Sequence, residues 1–522
     1  MIELKEYKGH IRNWKSLCKE LEIDTDQEAK NREREIITKG YERWGEDVVN
    51  HLIGMFSFAI VDGDKIYCAR DHFGTKPFYY YVTEDNDLLF GNQIRKIMSQ
   101  DGFEKEFNHD MLQMYLNFTY CPGEDTMFKG VKKLLPGRYL TFENGELEIT
   151  RYFKPEFHPE EGKSLEEWAD EISNTVEEIV KEVKLPEEEA YSFLSGGVDS
   201  SYVLASTDAT TACSIGYDEA ALGDKAVYNG VRYNEADLAK ETAEYFGRKF
   251  SLKEVGPEEY FNEISFVMEN MEIPMGDASA ITFSLGCKAA AAQNPLCYSG
   301  EGADEFFGGY NAYRNPVNED KIKNKAYLGS TSIMKEEEKQ RILKNYNPDV
   351  QPFDMVKDIY EETAGEPAIN TMSMIDIINY LEGDIYLNVD KTSTAHGLEI
   401  RMPLTDIRMF NIASRLPAEY KVTEEQNKVA LRTAAAKVLP DEVAFRKKLG
   451  FVVPVRFWLA EEPYASKIRE KFTGPSAEKF FNTDELVKIL DEYVDGNSNL
   501  WLKTYVIYVF LVWYDIYFKE DN

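Results

Sequence analysis

The sequence predicts a two-part α/β protein: a β-rich amino-terminal domain, then a parallel-sheet domain with a helical extension. Three observations carry this. Residues up to about 155 run as short apolar strands separated by turn residues. From Ala190 onward, short apolar strands at 190–194, 211–215 and 295–298 alternate with helical segments, the pattern of a parallel sheet. After about residue 320 helical patterning dominates.

The elements follow in order. Two helical patches lie near 11–22 and 27–43, and Met55–Val61 is strand-like, with Asp62-Gly63-Asp64 as the turn behind it. Lys65–Ala69 reads as the returning strand. Phe78–Val82 and Asp87–Gly91 flank a turn at Glu84-Asp85-Asn86, and Lys132–Phe142 and Leu147–Tyr152 close the region, with turns at Pro136-Gly137 and Asn144-Gly145. The stretch 154–163, with two prolines and a glycine, reads as a linker between domains spanning 1–155 and 164–522. Leu165, Trp168, Ile172, Val176, Ile179 and Val183 then form one apolar helical face, opened by Ser164 as N-cap with Glu167 three residues on.

Composition narrows the function classes. A chain of 522 residues with 43% hydrophobic and 13% aromatic content can bury large cores, which rules out a mostly disordered chain. A formal net charge of −33 repels phosphate backbones and anionic bilayers and argues against nucleic acid or membrane partners. The six cysteines include no C-x-x-C pair, so a disulfide scaffold or structural zinc is not expected and a reducing compartment fits. The first twenty residues are charged throughout, unlike a secretory signal. The longest apolar run, Tyr505–Tyr514, is ten residues and too short to span a bilayer; a cytoplasmic location is expected.

Four blocks carry chemistry. Phe193-Leu-Ser-Gly-Gly-Val-Asp-Ser-Ser201 follows a strand and enters a helical segment at 200–206. Gly196 and Gly197 let backbone approach a phosphate, the N–H groups at the helix start make an anion nest, and Ser195 and Ser200 add hydroxyls. Asp199 is placed to hold Mg²⁺ against a pyrophosphate. The motif is not the G-x-x-x-x-G-K-[ST] loop. Ser299-Gly-Glu-Gly-Ala-Asp-Glu-Phe-Phe-Gly-Gly-Tyr310 also follows a strand, where ligands bind at the carboxyl edge of a sheet. In it, Asp304 is a second Mg²⁺ candidate and Glu301 a general base or positioner of an amine. The third block runs Asp390 to Asp406 and the fourth Arg446 to Pro454. Lysines beside a glycine in so acidic a chain are explained by an anion such as a triphosphate, or by a surface charge patch. His396, in the third block, reads as a satisfied polar residue without a catalytic role.

In this order and spacing, the four blocks resemble the asparagine synthetase family of amide-forming ATP pyrophosphatases over about 190–460. Tyr233–Asp237 and Glu272–Ile281 look like further family blocks. The resemblance implies a PP-loop synthetase domain in which ATP adenylates a carboxylate, pyrophosphate leaves, and a nitrogen nucleophile displaces AMP to give an amide. By resemblance, Leu194, Ile215, Ser299 and Gly300, with the Ser195–Ser200 loop, contact ATP; Asp199 and Asp304 hold Mg²⁺; Lys448 meets the charge developing in both steps; and Glu301 faces the amine.

The amino-terminal region resembles a class II glutamine amidotransferase, an Ntn-hydrolase-like fold, through Trp44–Asp47, Leu52–Ala59 and Ala69–Tyr79. That family's glutaminase depends on a cysteine at position 2, here Ile2, and its early pocket-shaping strands are expected to be absent. Where the family reads Y-N-G-E-I-Y-N this chain has Tyr7-Lys8-Gly9-His10-Ile11-Arg12-Asn13, so the pocket's Asn and Glu become Lys8 and His10. Its S-D-T-E motif becomes Arg32-Glu33-Arg34-Glu35. The domain is therefore expected to be degenerate, with glutamine hydrolysis lost. Cys18 and Cys68 read as packing residues, not replacement nucleophiles.

The leading expectation is an ATP-dependent ligase joining a carboxylate to ammonia or an amine. Glu301, where the family's β-lactam branch carries tyrosine, makes aspartate plus ammonia the default. A β-lactam-synthetase-like or lasso-cyclase-like amidation of a natural-product or peptide carboxylate is the alternative within the chemistry. An inactive scaffold or binding protein is the alternative outside it, opposed by intact Asp199, Asp304 and Lys448. A tRNA-modifying protein shares the SGGxDS loop, but the acidic charge opposes it. A separate ammonia-supplying glutaminase and a homodimer are left open as partners.

Overall fold

The computed structural model describes residues 2–184, 189–217, 222, 227–228, 231–232, 235–447 and 452–519. The amino-terminal lobe holds eight strands: β1 (Ile2–Ile11), β2 (Gly54–Asp62), β3 (Lys65–Arg70), β4 (Tyr79–Val82), β5 (Leu88–Gly91), β6 (Lys132–Lys133), β7 (Arg138–Glu143) and β8 (Glu146–Arg151). They form two antiparallel sheets, ordered β1-β2-β3-β7-β8 and β5-β4-β6. The expected strand 132–142 is divided at Pro136-Gly137, where proline lacks the ladder N–H and Gly137 takes φ 63°. One strand was not expected from the sequence. The charged start forms β1, which pairs with β2 from Ile2↔Asp62 to Ile11↔Gly54. Charged side chains hid it because this edge strand buries only part of its length.

The second lobe is built on a five-stranded sheet. It comprises β9 (Tyr191–Phe193), β10 (Thr211–Tyr217), then, past a small two-stranded pair of β11 (Val227–Tyr228) and β12 (Val231–Arg232), β13 (Lys249–Val255), β14 (Leu296–Tyr298) and β15 (Glu399–Arg401). The order is β13-β10-β9-β14-β15, with every pairing parallel. Helices such as Leu165–Val183 and Ser279–Ala291 accompany this sheet. Ser164 caps the first with a complete capping box to Glu167. β15 was not expected. It is three residues long inside a helical region, too short for a period-2 signal, and it exists through pairing with β14. An unbroken helical rod runs from Ala368 to Ala395, its middle, Asp376–Tyr386, wound as π-helix. None of the helices is long and apolar enough to cross a membrane, among the described residues.

The lobes share buried ion pairs. The Arg12 guanidinium donates to Asp406 at 2.8 Å and to the Met402 carbonyl at 2.7 Å. Glu272 accepts from the Ile94 and Arg95 amides at 3.1 and 2.9 Å and pairs with Lys391. Lys391 of the third block is thus neither a triphosphate ligand nor part of a surface patch. It neutralises a carboxylate that burial would otherwise penalise. Burial alone would raise the Asp406 carboxyl, but Arg12 and Arg408 outweigh it and hold it at about 2.

A carboxyl held below its ordinary value contributes stability that is complete above that value and lost as pH falls toward 2. A double-mutant cycle of Arg12→Met and Asp406→Asn, read by urea unfolding, should therefore give a constant coupling from pH 8 to 5 that fades only below about pH 4. Arg12→Met alone, which leaves Asp406 paired with Arg408 only, should cost about 1.5–3 kcal/mol.

Candidate functional site

The site forms because β9 and β14 are sheet neighbours, so the loops leaving their carboxyl ends meet. Leu194 donates its N–H to the Cys213 carbonyl at 2.8 Å, and the chain then turns through Gly196, at φ 79°. A Cβ on Gly196 would sit 3.1 Å from the Leu238 side chain and 3.2 Å from the Ala239 nitrogen. Gly197 caps the helix Val198–Ser206, which places Asp199 in its first turn, two residues before the expected helix start. The Ser200 hydroxyl accepts from the Ser195 N–H at 3.1 Å and lies 3.1 Å from the Ser195 hydroxyl, which in turn accepts from the Gly197 N–H at 3.3 Å. Arg446 donates to the Gly196 carbonyl at 2.7 Å.

The second loop begins where the Ser299 N–H donates to the Arg401 carbonyl at 3.0 Å. A Cβ on Gly300 would fall 2.8 Å from both the Asp199 carbonyl carbon and the Ser200 nitrogen, so only glycine lets the loops touch. The Ser299 hydroxyl donates to Glu301 at 3.3 Å. Gly302, at φ 85°, opens the short helix Ala303–Phe307 that carries Asp304.

Between the loops lies a residue that sequence reasoning missed. The Lys428 ammonium, with 1% of its side chain exposed, pairs with both Asp199 and Asp304, the latter at 2.7 Å. Burial pushes this ammonium's pKa down, but the two carboxylates outweigh burial and leave it above its ordinary value. Arg432, four residues on, donates to the Asn427 carbonyl at 2.8 Å and to the Ala444 and Arg446 carbonyls at 2.7 and 2.9 Å, tying the fourth block to the site. Two cations at helical spacing in so acidic a chain were the available signal.

A cavity of about 430 Å³ opens over these groups. The structure brings together on its wall Leu194, Ser195, Gly196, Gly197, Asp199, Ser200, Ile215, Ser299, Gly300, Glu301 and Asp304, joined by Lys428, Arg446 and Lys447. Lys448 lies outside the described residues. Ile215 reaches the wall because Gly286 makes room: a Cβ there would be 2.3 Å from the Ile215 side chain. Asp277, Tyr310, Tyr380 and Asn388 also line the cavity. His396 is satisfied elsewhere, 2.9 Å from the Ser284 hydroxyl. Cys18 and Cys68 are buried, and burial raises both thiols.

The pocket positions of the sheet lobe are engaged internally. Glu33 accepts from the Tyr7 hydroxyl at 2.7 Å and the Ile11 amide at 2.9 Å, and lies 2.9 Å from His10 Nδ1. The Arg32 guanidinium stacks over the Trp14 ring, 3.7 Å from its centroid. Lys8 points to Asp390 at 2.5 Å.

Comparison with known proteins agrees with this layout. A family model for asparagine synthase matches residues 171–515, and one for a glutamine amidotransferase domain matches 5–153. Asparagine synthetase 1 (glutamine-hydrolyzing) of Bacillus subtilis is 30% identical, over 98% of this chain and 85% of that protein. A putative asparagine synthetase (glutamine-hydrolyzing) of Mycobacterium tuberculosis is 28% identical, over 99% and 84%. Amidase chry2 of Gibberella zeae is 24% identical, over 86% and 76%.

Gly300→Ala tests the loop contact. The added methyl group should force the loops apart and cost about 1–3 kcal/mol of stability, measured by urea unfolding. A neutral result would place the loops farther apart than described.

Proposed function

We propose, from the premise that the chain belongs to the asparagine synthase family, that it joins aspartate to ammonia at the cavity between the SGGVDS and SGEGADE loops. It is a carbon–nitrogen ligase working by ATP-dependent amidation. The observation that carries the finer reading is the convergence of Asp199, Asp304 and Lys428 where the two loops meet.

ATP would lie with its phosphates on the Ser195–Ser200 loop and its base toward Ile215 and Phe283, both on the cavity wall. Asp199 and Asp304 would hold Mg²⁺. The fit is good: two carboxylates converge on one cation, and Asp199 Oδ1 is buried without a hydrogen-bond partner. Bound Mg²⁺ would neutralise pyrophosphate charge. An oxygen of the substrate carboxylate attacks the α-phosphorus, the new O–P bond forms, and the bond to the β-phosphate oxygen breaks. Lys428, between Asp199 and Asp304, and Arg446, on the Gly196 carbonyl, would meet that charge. Lys448 keeps the role the resemblance implies. Ammonia then attacks the acyl carbon, AMP leaves with its oxygen, and Glu301 accepts the proton released as the C–N bond forms.

Glutamine is not the nitrogen source in this reading, although relatives carry the glutamine-hydrolyzing name. Lys8, His10 and Glu33 support it, since the positions expected to recognise glutamine are spent on internal pairs.

The purified protein should form amide, AMP and pyrophosphate with ATP, Mg²⁺ and ammonium. Glutamine should neither replace ammonium nor release glutamate. ADP as the main product would refute the chemistry, and glutamate release would refute the loss of glutaminase.

Glu301→Gln should keep carboxylate-dependent pyrophosphate exchange into ATP and block amide formation; loss of exchange would place Glu301 in the first half-reaction. Exchange over a panel of carboxylates names the substrate, and silence with aspartate beside a signal from another acid would favour a natural-product substrate. Asp199→Asn should lower turnover by orders of magnitude through several kcal/mol of lost charge neutralisation. Lys428→Met should depress kcat roughly 10²-fold, on the scale of one preorganised donor.

A further inference from the structure

One helical rod serves both lobes. Tyr380, Ile385, Asn388 and Val389 of the rod Ala368–Ala395 line the cavity. Two carboxylates on the same rod take their cations from the sheet lobe. Asp390 receives Lys8 at 2.5 Å and Lys76 at 3.0 Å. Glu382 receives Arg70 and Lys133, both at 2.8 Å. Asp390 and Glu382 are 1% and 3% exposed, so their partners matter more than any surface pair would. The anchors bracket Ile385, Asn388 and Val389. Between them Gly383 packs against the Tyr120 ring of the sheet lobe, where a Cβ would come within 2.5 Å of Tyr120 Cδ2.

The walls of the cavity are held differently. The Ser195–Ser200 loop leaves β9, which is paired to β10 on one side and β14 on the other, and is fixed by the sheet. The wall of Tyr380, Ile385, Asn388 and Val389 belongs to a rod whose middle is π-wound, a geometry usually limited to single turns, and the helix Ala303–Phe307 of the second loop also leans on that rod, the Ser373 hydroxyl donating to the Glu305 carbonyl. Its seating relies on what grips it from the side.

We propose that Lys8, Lys76, Arg70 and Lys133 are positioning residues for amide synthesis: the sheet lobe seats the rod and thereby sets the cavity wall that Tyr380, Ile385, Asn388 and Val389 form. The inference rests on the ligase reading above and extends it. Lys8 stands where the amidotransferase resemblance expects a glutamine-pocket asparagine, and here it grips the synthetase lobe. The sheet lobe therefore keeps a task in synthesis that does not involve glutamine. A displacement of about 1 Å at a reacting centre costs about 10²-fold in rate, so seating a wall is a sufficient role.

The test uses the full-length chain and three variants: Lys8→Met/Lys76→Met, the uncharged set Lys8→Met/Lys76→Met/Asp390→Leu, and Lys8→Arg. The uncharged set removes the directional pairs without stranding a buried carboxylate, so it guards against simple misfolding. Amide synthesis from ATP, aspartate and ammonium is read as kcat and as separate KM values. Hydrogen exchange without ligands is read over 376–395 and over 191–217. Both Met variants should lose roughly 10- to 100-fold in kcat or in kcat over the aspartate KM, with the ATP KM moved less than about 2-fold. Exchange should rise over 376–395 and not over 191–217. Lys8→Arg, still charged, should restore both readouts toward the parent. An uncharged set that folds with parental turnover and parental exchange over 376–395 overturns the proposal. So does an equal rise in exchange over 376–395 and 191–217. If the parent chain makes no amide with any carboxylate, the ligase reading fails, and the exchange comparison alone still decides whether the sheet lobe seats the rod.

Discussion

The buried ammonium of Lys428 between Asp199 and Asp304 is the interaction on which the arrangement of the site depends. Two carboxylates on adjacent loops repel, and the ammonium between them offsets that repulsion and lets them come close together. The geometry that permits this starts with sheet order. β9 and β14 are neighbours, so Asp199 and Asp304, 105 positions apart in the numbering, come within reach of one side chain. Gly300 and Gly309 then remove the side chains that would fill the gap. A Cβ on Gly309 would be 1.8 Å from Asp304 Oδ1 and 2.1 Å from Lys428 Cε.

The same rule shapes the rest of the interior. In a chain of net charge −33, cations are the scarcer partner, and the buried carboxylates claim them. Asp390, Glu382, Glu272 and Asp406 are each matched, and each has its carboxyl held below the ordinary range despite burial. Asp384 is the contrasting case. It is fully buried, neither oxygen has a hydrogen-bond partner, and burial, with Asp277 and Glu305 nearby, pushes its carboxyl well above the ordinary value. On the same rod the buried Asp376 is met by hydroxyl groups of Tyr313 and Ser330, at 2.7 and 3.1 Å, so buried acids here are met by cations, by neutral donors, or by neither.

The legible and illegible parts of the sequence divide along physical lines. Glycine-rich loops after apolar strands announce themselves, because the loop needs its glycines for backbone reasons and the strand needs its apolar run for burial. The Ser195–Ser200 and Ser299–Asp304 loops fall in this class, as does the Ser164 capping box, whose reciprocal hydrogen bonds are local. Lys428 and Lys391 do not. Asp199 lies 229 positions from Lys428 and Glu272 lies 119 from Lys391, so the spacing of Lys428 and Arg432 could mark a pair of cations but could not name the carboxylates they meet. β1 and β15 were hidden for a related reason. Each is a strand by virtue of its neighbour, β2 or β14, and its own residues lack the alternation that would show it.

The lobes differ in topology, one antiparallel and one parallel, yet their apolar interiors do not respect that division. Tyr115 and Phe128 of the sheet lobe belong to one continuous core with Phe510 and Trp513 of the long carboxy-terminal helix Trp501–Tyr517. The rings of Phe128 and Trp513 meet edge to face at 5.6 Å, and the Tyr115 hydroxyl donates to the Val506 carbonyl at 3.1 Å. Removing the sheet lobe would return the matched carboxylates to water at modest cost. It would also expose this aromatic face, and burying apolar area stabilises the joined lobes more than the paired charges do. The amino-terminal domain thus completes a core that it shares with the carboxy-terminal helix.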